Sequence, residues 1–390
     1  MDLSNLYKMG KFSNVVFWSV LFYLNLFLCS LLFSIEITLS LVGDVMFHMP
    51  TVNSAYSNGK YHFENIFEHV KKYIEKSDIA FCNLETTLGG YPYTGYPRFS
   101  SPDEVLDALK YAGFDIINVA NNHMLDRGVF GLRKTLEQIK RRGLIYVGAR
   151  FTPLEKLYKI VEVKGLRISF VSFTYSTNGI PIDEKYKYMF MYISKQTLLS
   201  ILDEMKKISE VVIVYFHYGN EYQTAPTKEQ IELAYLALDN GADMVIASHP
   251  HVLQHVELVE YGPKTKLIAY SLGNFLSNMT APGTDEGVIL NITYHPVKGV
   301  LNVNPILTWV HRYTVANKFY YRILPVGDYL ASTDRFLSKT DIKRLSQIAQ
   351  KKLVERKGKR QPTSTNFIKS TTPLKNYFYN QLMNSLTFSY

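Results

Sequence analysis

Six side chains able to grip a divalent cation recur at comparable places along the chain: Asp44, Glu85, Asn122, His217, His249 and His251. Each lies at or just past the end of an apolar run that reads as a β-strand, over 37–42, 78–82, 114–120, 211–216 and 244–247. Carboxylate, amide and imidazole donors of this kind suit zinc, manganese or iron. Two carboxylates, one amide oxygen and three imidazoles can hold two ions about 3.5–4 Å apart, a pair that activates water and neutralises charge developing on a phosphoryl or acyl oxygen. Taken singly, most have an ordinary structural explanation. Asp44 after Gly43 suits a turn, Glu85 a surface acid or helix cap, Asn122 a turn whose backbone it satisfies, and His217 a satisfied strand-end histidine. Ser248-His-Pro-His251 is more pointed, because two imidazoles two residues apart, punctuated by Pro250, can face one site. Recurrence at equivalent strand ends argues for a shared site, since the carboxyl edge of an α/β sheet is where sites are built. His62, His69, His255, His295 and His311 show no such placement.

A site of this kind needs strands and helices in alternation, and the sequence carries that alternation. Segments 66–75, 102–111, 130–142, 196–207 and 227–240 read as helices. The second opens on Pro102, has Asp103 and Glu104 in its first turn and stops before Gly113; the third and fifth close at Gly143 and Gly241. Further strands are expected at 144–147 and 266–271, a hairpin at 159–163 and 167–173 around Lys164-Gly165, and short strands over 287–324. Gly90, Pro92, Gly95 and Pro97 mark 89–101 as an exposed loop. The class is α/β. With 47 % apolar residues among 390, the chain buries a sizeable core, which excludes wholesale disorder. Its two cysteines, Cys29 and Cys82, exclude a disulfide scaffold and a cysteine-rich zinc site.

Both ends differ in composition from this body. Lys8 and Lys11 precede an uncharged apolar stretch, residues 14–35, long enough at ~1.5 Å per residue to cross a bilayer as a helix. The next charge is Glu36. Basic residues before the stretch, with none close behind, predict an inside N-terminus and an exported remainder. No small-x-small cleavage site follows, so a signal anchor is expected ahead of a cleaved signal peptide. A lipid on Cys29 is disfavoured by the bulky Leu28 before it. The net charge of +9 resides in the last part: from Asp334 onward twelve Lys/Arg face three Asp/Glu, while residues 1–333 balance. The body is therefore not a nucleic-acid-binding surface. A helix is expected over 339–356, then the basic run Arg356-Lys-Gly-Lys-Arg360, which either contacts anionic headgroups or polymer or is a solvated extension.

The candidate residues sit in a series of short motifs: Val42-Gly-Asp-Val-Met46, Asn83-Leu-Glu85, Phe114-Asp-Ile-Ile-Asn-Val-Ala-Asn-Asn-His123 with Asp126 and Gly128, His217-Tyr-Gly-Asn-Glu-Tyr222, Gly241-Ala-Asp-Met-Val-Ile-Ala-Ser-His-Pro-His251, and Tyr270-Ser-Leu-Gly-Asn-Phe275. In order and spacing, over roughly residues 37–280, the series resembles the bacterial CapA family, associated with capsule and poly-γ-glutamate synthesis and similar to calcineurin-like metallophosphoesterases. The resemblance implies a four-layer αββα sandwich of metallophosphoesterase type over 36–325, between a cytoplasmic stub and anchor at 1–35 and a basic extension at 326–390. It implies one or two divalent ions (Mn, Zn or Fe), with Asp44 and His251 on one, Asn122, His217 and His249 on the other, and Glu85 bridging. His123 would protonate a leaving group, with Asp126 orienting it. Glu221 would support a ligand or reach the substrate, its alternative being a plain solvent-facing acid.

One position departs from the phosphoesterase pattern. Where that pattern has a histidine two residues after the first aspartate, this chain has Met46, and a thioether is a poor ligand for a hard ion. His48 substitutes only if the chain bends back. Three functional expectations follow from the resemblance. The first is a cell-membrane protein, single-pass with its domain extracytoplasmic, that helps make, export or tether an anionic capsule polymer or its precursor. It would work beside other membrane polymer-synthesis subunits and carry a metal-dependent hydrolase-like site. The second is a general extracytoplasmic metallophosphoesterase. The third, which Met46 favours, is a non-catalytic scaffold of a polymer-export complex.

Overall fold

Strand β1 (Ile37–Val45) shows how the fold is built. Ile37, Leu39 and Leu41 face one apolar core and Val45 faces another, so both sides of the strand are covered, as a parallel sheet requires. The structure, a computed structural model, describes residues 35–360. After β1 come α1 (Met49–Ala55), the short hairpin β2 (Tyr56–Ser57) and β3 (Lys60–Tyr61), and α2 (Glu64–Ile74). β4 (Ile79–Leu84), α3 (Val105–Ala112), β5 (Ile116–Asn118), α4 (Gly128–Arg141) and β6 (Ile145–Val147) complete the first half. The second half comprises β7 (Tyr158–Val163), β8 (Leu166–Thr174), α5 (Lys195–Ile208), β9 (Val211–His217), α6 (Lys228–Asp239) and β10 (Met244–Ser248). There follow β11 (Val256–Tyr261), β12 (Lys264–Ala269), β13 (Asn274–Leu276), β14 (Glu286–His295), β15 (Gly299–Val315) and β16 (Lys318–Pro325). The last described elements are α7 (Val326–Tyr329), α8 (Lys339–Ala349) and β17 (Val354–Lys359). The protein is therefore α/β, as the alternation of patterns predicts.

One sheet runs in the order β6-β5-β4-β1-β14-β15-β12-β10-β9-β8-β7. The flanks β1-β4-β5-β6 and β12-β10-β9-β8 are parallel, and the antiparallel pairs β1-β14 and β14-β15 join them. The join is narrow: β12 meets β15 only at Thr265 and Gly299. The sheet bends there, and its two flanks face each other. The core between them consists mostly of strand residues: Leu39, Phe81 and Ile116 from one flank, and Phe170, Ile213, Tyr215 and Ile246 from the other. The Phe81 ring lies 6.1 Å from that of Phe170 and 5.4 Å from that of Tyr215. Helices α1–α4 cover the outer side of the first flank, through Val52, Phe67, Leu106 and Leu136 among others. Helices α5 and α6 cover the outer side of the second, through Leu202, Met205, Leu233 and Ala237. The bend carries the carboxyl ends of parallel strands from both flanks to one edge.

Three local readings need correction. The helix expected over 339–356 stops at Ala349, once Leu345 and Ile348 have met Trp309, Leu324 and Val326; Leu353, which would continue the helical spacing, packs on the middle core instead. The chain then pairs as β17 alongside β11, with Leu353 and Val354 on the middle core, so the basic run is a strand whose Lys357 and Arg360 meet Glu257 and Asp239. The loop 89–101 is exposed at Tyr91 and Tyr96, but its end is not: Phe99, Ser100 and Ser101 are buried. Helix α1, too short to show a helical period, and strand β11 were not expected. Residues 14–34 of the apolar stretch expected to anchor the chain, and everything after Arg360, lie outside the described residues. Among the described residues no helix is long and apolar enough to cross a membrane.

Candidate metal centre

Neighbouring strand ends set the floor of the site. Asp44 on β1 stands beside Asn83 on β4 and Asn274 on β13, and Asn83 stands beside Asn118 on β5. On the other flank His217 on β9 stands beside Thr174 of β8 and Ser248 of β10. The approach of β1 to the turn before β13 needs a glycine: a Cβ on Gly43 would sit 2.1 Å from the Gly273 carbonyl oxygen. Just past β10, His249 and His251 adopt φ of 113° and 59°, a left-handed backbone uncommon outside glycine. Strain of this kind concentrates at functional sites, and here it turns both imidazoles toward Asp44 and Glu85.

All six predicted ligands are buried, and they converge. Ligand atoms of Glu85, His249 and His251 lie within 4.8 Å of one another, as do those of Asp44, Glu85 and His217. Glu85 belongs to both groups, which suits a bridging carboxylate. The two groups nevertheless cut across the division of ligands that the resemblance implies, since His249 and His251 fall together and Asp44 falls with His217. Asn122 joins through its Oδ1, 2.7 Å from His217 Nε2. Asp44 is held from several sides: Asn83 Nδ2 donates to its Oδ1 at 2.8 Å, and the His249 backbone N–H and the His251 ring approach its Oδ2 at 3.3 Å. Asn83 Oδ1 in turn accepts from Asn118 and Asn121, at 2.7 and 3.1 Å.

Glu85 is different. Both of its oxygens are buried, and neither accepts a hydrogen bond from the described residues; nor does His249 Nδ1 have a partner. Orphaned buried polar atoms cost roughly 1–3 kcal/mol each, and a cation would satisfy all three. The donor set, carboxylate and amide oxygens with imidazole nitrogens, has the chemistry of a divalent-ion site.

The titration behaviour reflects the crowding. Burial, then the neighbouring Asp44 charge, holds Glu85 well above the usual carboxylate range. Burial would also raise Asp44, but the hydrogen bond from His251 and the nearby imidazoles bring it down to about 2. Burial presses His251 downward; Glu85 and Asp44 outweigh it and carry the ring up to about 9. His217 and His249 have less anionic support, and burial takes them down to about 3 and about 2. Two acids and three imidazoles here compete for protons in a space that a cation could organise.

Beside the ligands, His123 Nδ1 meets Asp126 Oδ2 at 2.8 Å, and Asp126 Oδ2 also accepts the Phe99 backbone N–H at 2.6 Å. The Phe99 ring stands edge-on to His123 at 4.8 Å, so the returning end of the 89–101 loop walls this pair. Burial would lower the His123 pKa; the Asp126 hydrogen bond overrides it and raises it. Glu221 is exposed and belongs to neither ligand group; its charge reaches Tyr175 and His217 electrostatically. Met46 is buried. His48 belongs to neither ligand group: its Nδ1 accepts the Asn278 backbone N–H at 3.2 Å, and its ring packs edge-on to Phe99. The sequence reading assigned no role to Asn83, Asn118, Asn121, Asn274, Tyr175 or Asn178. Four of these lie inside the quoted motifs, and an asparagine recurring at strand ends was the available signal.

Residues 38–279 match the model of the protein family described as bacterial capsule synthesis protein PGA_cap. The capsule biosynthesis protein CapA of Bacillus anthracis is 30 % identical over 274 residues, 67 % of this chain and 64 % of that protein. The PGA biosynthesis protein CapA of Bacillus subtilis is 29 % identical over 281 residues, 68 % of this chain and 70 % of that protein. The chain thus spans a little under two thirds of the first relative's length. A solved structure of the Haemophilus influenzae NAD nucleotidase aligns with a TM-score of 0.48 at 14 % identity, over 83 % of this chain and 57 % of that one.

Proposed function

Since this chain belongs to the bacterial capsule synthesis protein family, and is a capsule- or poly-γ-glutamate-synthesis-related protein of the CapA type, we propose that it acts outside the cytoplasm, tethered by its N-terminal apolar stretch. It takes part there in making, exporting or tethering an anionic polymer, beside other membrane polymer-synthesis subunits, through a metal-dependent hydrolase-like site on a four-layer αββα frame. The observation that carries the chemical part is Glu85: a fully buried carboxylate that accepts no hydrogen bond among the described residues, with His217 Nε2 3.6 Å from its Oε1, and shared by two groups of ligand atoms.

Asp44, Glu85, Asn122, His217, His249 and His251 would hold the ion or ions, whose contribution when bound is electrophilic polarisation and a water acidic enough to react near neutrality. The protein's own residues supply the rest. Asp126 accepts the His123 Nδ1 proton and fixes the ring, which leaves Nε2 to carry the proton that a departing oxygen needs. The raised pKa enlarges the protonated share at neutral pH. Asp126 is itself steadied by the Phe99 N–H, and Asn83 keeps one Asp44 oxygen occupied so that the other is presented inward.

The test combines metal analysis of the detergent-solubilised full chain with polymer output in cells. Wild type is expected to retain stoichiometric manganese, zinc or iron, Asp44→Ala and His249→Ala to lose it, and His123→Ala to keep metal while polymer falls. Absence of bound metal from every preparation would end the metal-site reading. Met46, a buried thioether in place of a possible ligand, supports a second reading, a scaffold without catalysis. Normal polymer output from His123→Ala would favour it.

A further inference from the structure

Asn122 can serve as a ligand in one of its two amide orientations only. With Oδ1 turned to His217 Nε2, as it is at 2.7 Å, it offers an oxygen to a cation. Turned over, it would offer an NH2 group, which no cation accepts. Asn122 cannot choose by itself, because the two ends of an amide are nearly the same size and shape. Without a cation the His217 Nε2–H can hold the oxygen, but a ring nitrogen given to a cation has no proton to do so, and the other end then decides: Asn122 Nδ2 donates to Asn178 Oδ1 at 3.2 Å, and an acceptor at that point admits the NH2 group and repels the oxygen.

Asn178 is placed for this by a loop that belongs to neither ligand group. It follows β8, and its first residue, Tyr175, donates its N–H to the His217 carbonyl at 3.1 Å, so the loop is fastened to the strand end that bears the metal-ligand candidate. Ser176 Oγ accepts the Asn178 N–H at 3.0 Å, and Asn178 itself has a φ of 52°, left-handed backbone that asparagine tolerates better than most residues. The Tyr175 ring closes over His249 with 4.4 Å between centroids. Asn178 Nδ2 also lies 3.5 Å from His123 Nδ1. With that nitrogen's proton donated to Asp126 at 2.8 Å, this longer contact is between two donors and pulls weakly toward turning the Asn178 amide over; the shorter hydrogen bond from Asn122 at 3.2 Å opposes it.

We propose that Asn178 is a positioning residue: it acts through Asn122, holding that amide with its oxygen toward the cation. The inference rests on the metal-site reading above and adds to it a residue that touches no ion. Groups that orient metal ligands typically contribute 10–100-fold to metal affinity.

Two variants test it. Asn178→Gly removes the acceptor and keeps the backbone, since glycine takes positive φ without strain. Asn178→Asp keeps an oxygen acceptor at the same reach. Mn²⁺ titration calorimetry on the detergent-solubilised full chain, with thermal melting of each metal-free variant alongside, should show Asn178→Gly weakened about 10–100-fold. The metal-free melting point should be little changed, and Asn178→Asp should bind close to wild type. Rescue by Asp distinguishes orientation from mere packing. Wild-type affinity in Asn178→Gly, or an equal loss in Asn178→Asp, would overturn the role of Asn178 and leave the metal reading standing. Wild-type protein that takes up no Mn²⁺, Zn²⁺ or Fe²⁺ would remove both.

Discussion

At the scale of single residues, Glu85 holds the clearest tension between stability and use. It is fully buried, its oxygens accept no hydrogen bond among the described residues, and the Asp44 carboxylate lies beside it. In the metal-free protein this arrangement is unfavourable, and a bound cation would reverse it. Glu85→Gln keeps the shape and removes the charge. The variant should therefore be close to wild type in stability without metal, and should lose the rise in melting temperature that added Mn²⁺ gives wild type. Melting curves with and without Mn²⁺ decide it: a Glu85→Gln protein that is markedly destabilised, or that still gains from Mn²⁺, contradicts the assignment. All six ligand candidates were legible because each ends an apolar run, a pattern written in consecutive residues. Asn83 and Asn178 were not, because their partners Asp44 and Asn122 lie 39 and 56 positions away. Asn83 at least recurs with the other strand-end asparagines, whereas nothing local distinguishes Asn178, which orients a ligand candidate, from an asparagine that fills a turn.

At the scale of elements, helices with regular apolar spacing were readable to within a few residues; the capping box of Thr227 and Gln230 that starts α6 was not singled out, although its Thr-x-x-Gln spacing is in the sequence. The basic run at 356–360 misled because charge says nothing about which edge a strand will pair with. The β15–β16 hairpin offers a prediction that needs the fold. His311 on β15 lies opposite Arg322 on β16, and its Nδ1 accepts from Arg322 Nε at 3.0 Å. Arg322 also pairs with Asp334, while Asp341 of α8 stands 3.8 Å from the other His311 nitrogen. Burial, then the Arg322 charge, takes His311 down from 6.5 to about 4, against weaker support from Asp341 and Asp334. The unfolded chain therefore binds a proton to His311 at a higher pH than the folded one. The stabilisation is complete above about pH 6.5 and is lost as pH falls toward 4, on the order of 3 kcal/mol. His311→Gln keeps an acceptor for Arg322 and cannot titrate. Urea unfolding of the two proteins at pH 7.5, 6 and 5 should show the His311→Gln stability falling less steeply, and parallel curves would contradict it.

At the scale of the whole molecule, the site exists only because the sheet bends. Asp44, Glu85 and Asn122 come from the first flank and His217, His249 and His251 from the second, and the shared interior between the flanks is the middle core. Phe81 stands in that interior, two residues before Asn83, with its ring against Phe170 and Tyr215 of the opposite flank. Leu202 is as deeply buried, but it lies in the outer core, between α5 and the second flank alone. Truncating either to alanine should cost about 2–5 kcal/mol, so stability alone does not separate them. Their consequences for the site should differ. A cavity at Phe81 loosens the contact that sets the distance between the two groups of ligands, whereas a cavity at Leu202 leaves both flanks seated on each other. Phe81→Ala is therefore expected to weaken Mn²⁺ binding measurably, and Leu202→Ala to leave it near wild type, when both are titrated at a temperature well below their melting transitions. Equal losses of affinity in the two variants would mean that general softening, and not the seam between the flanks, governs the geometry of the centre.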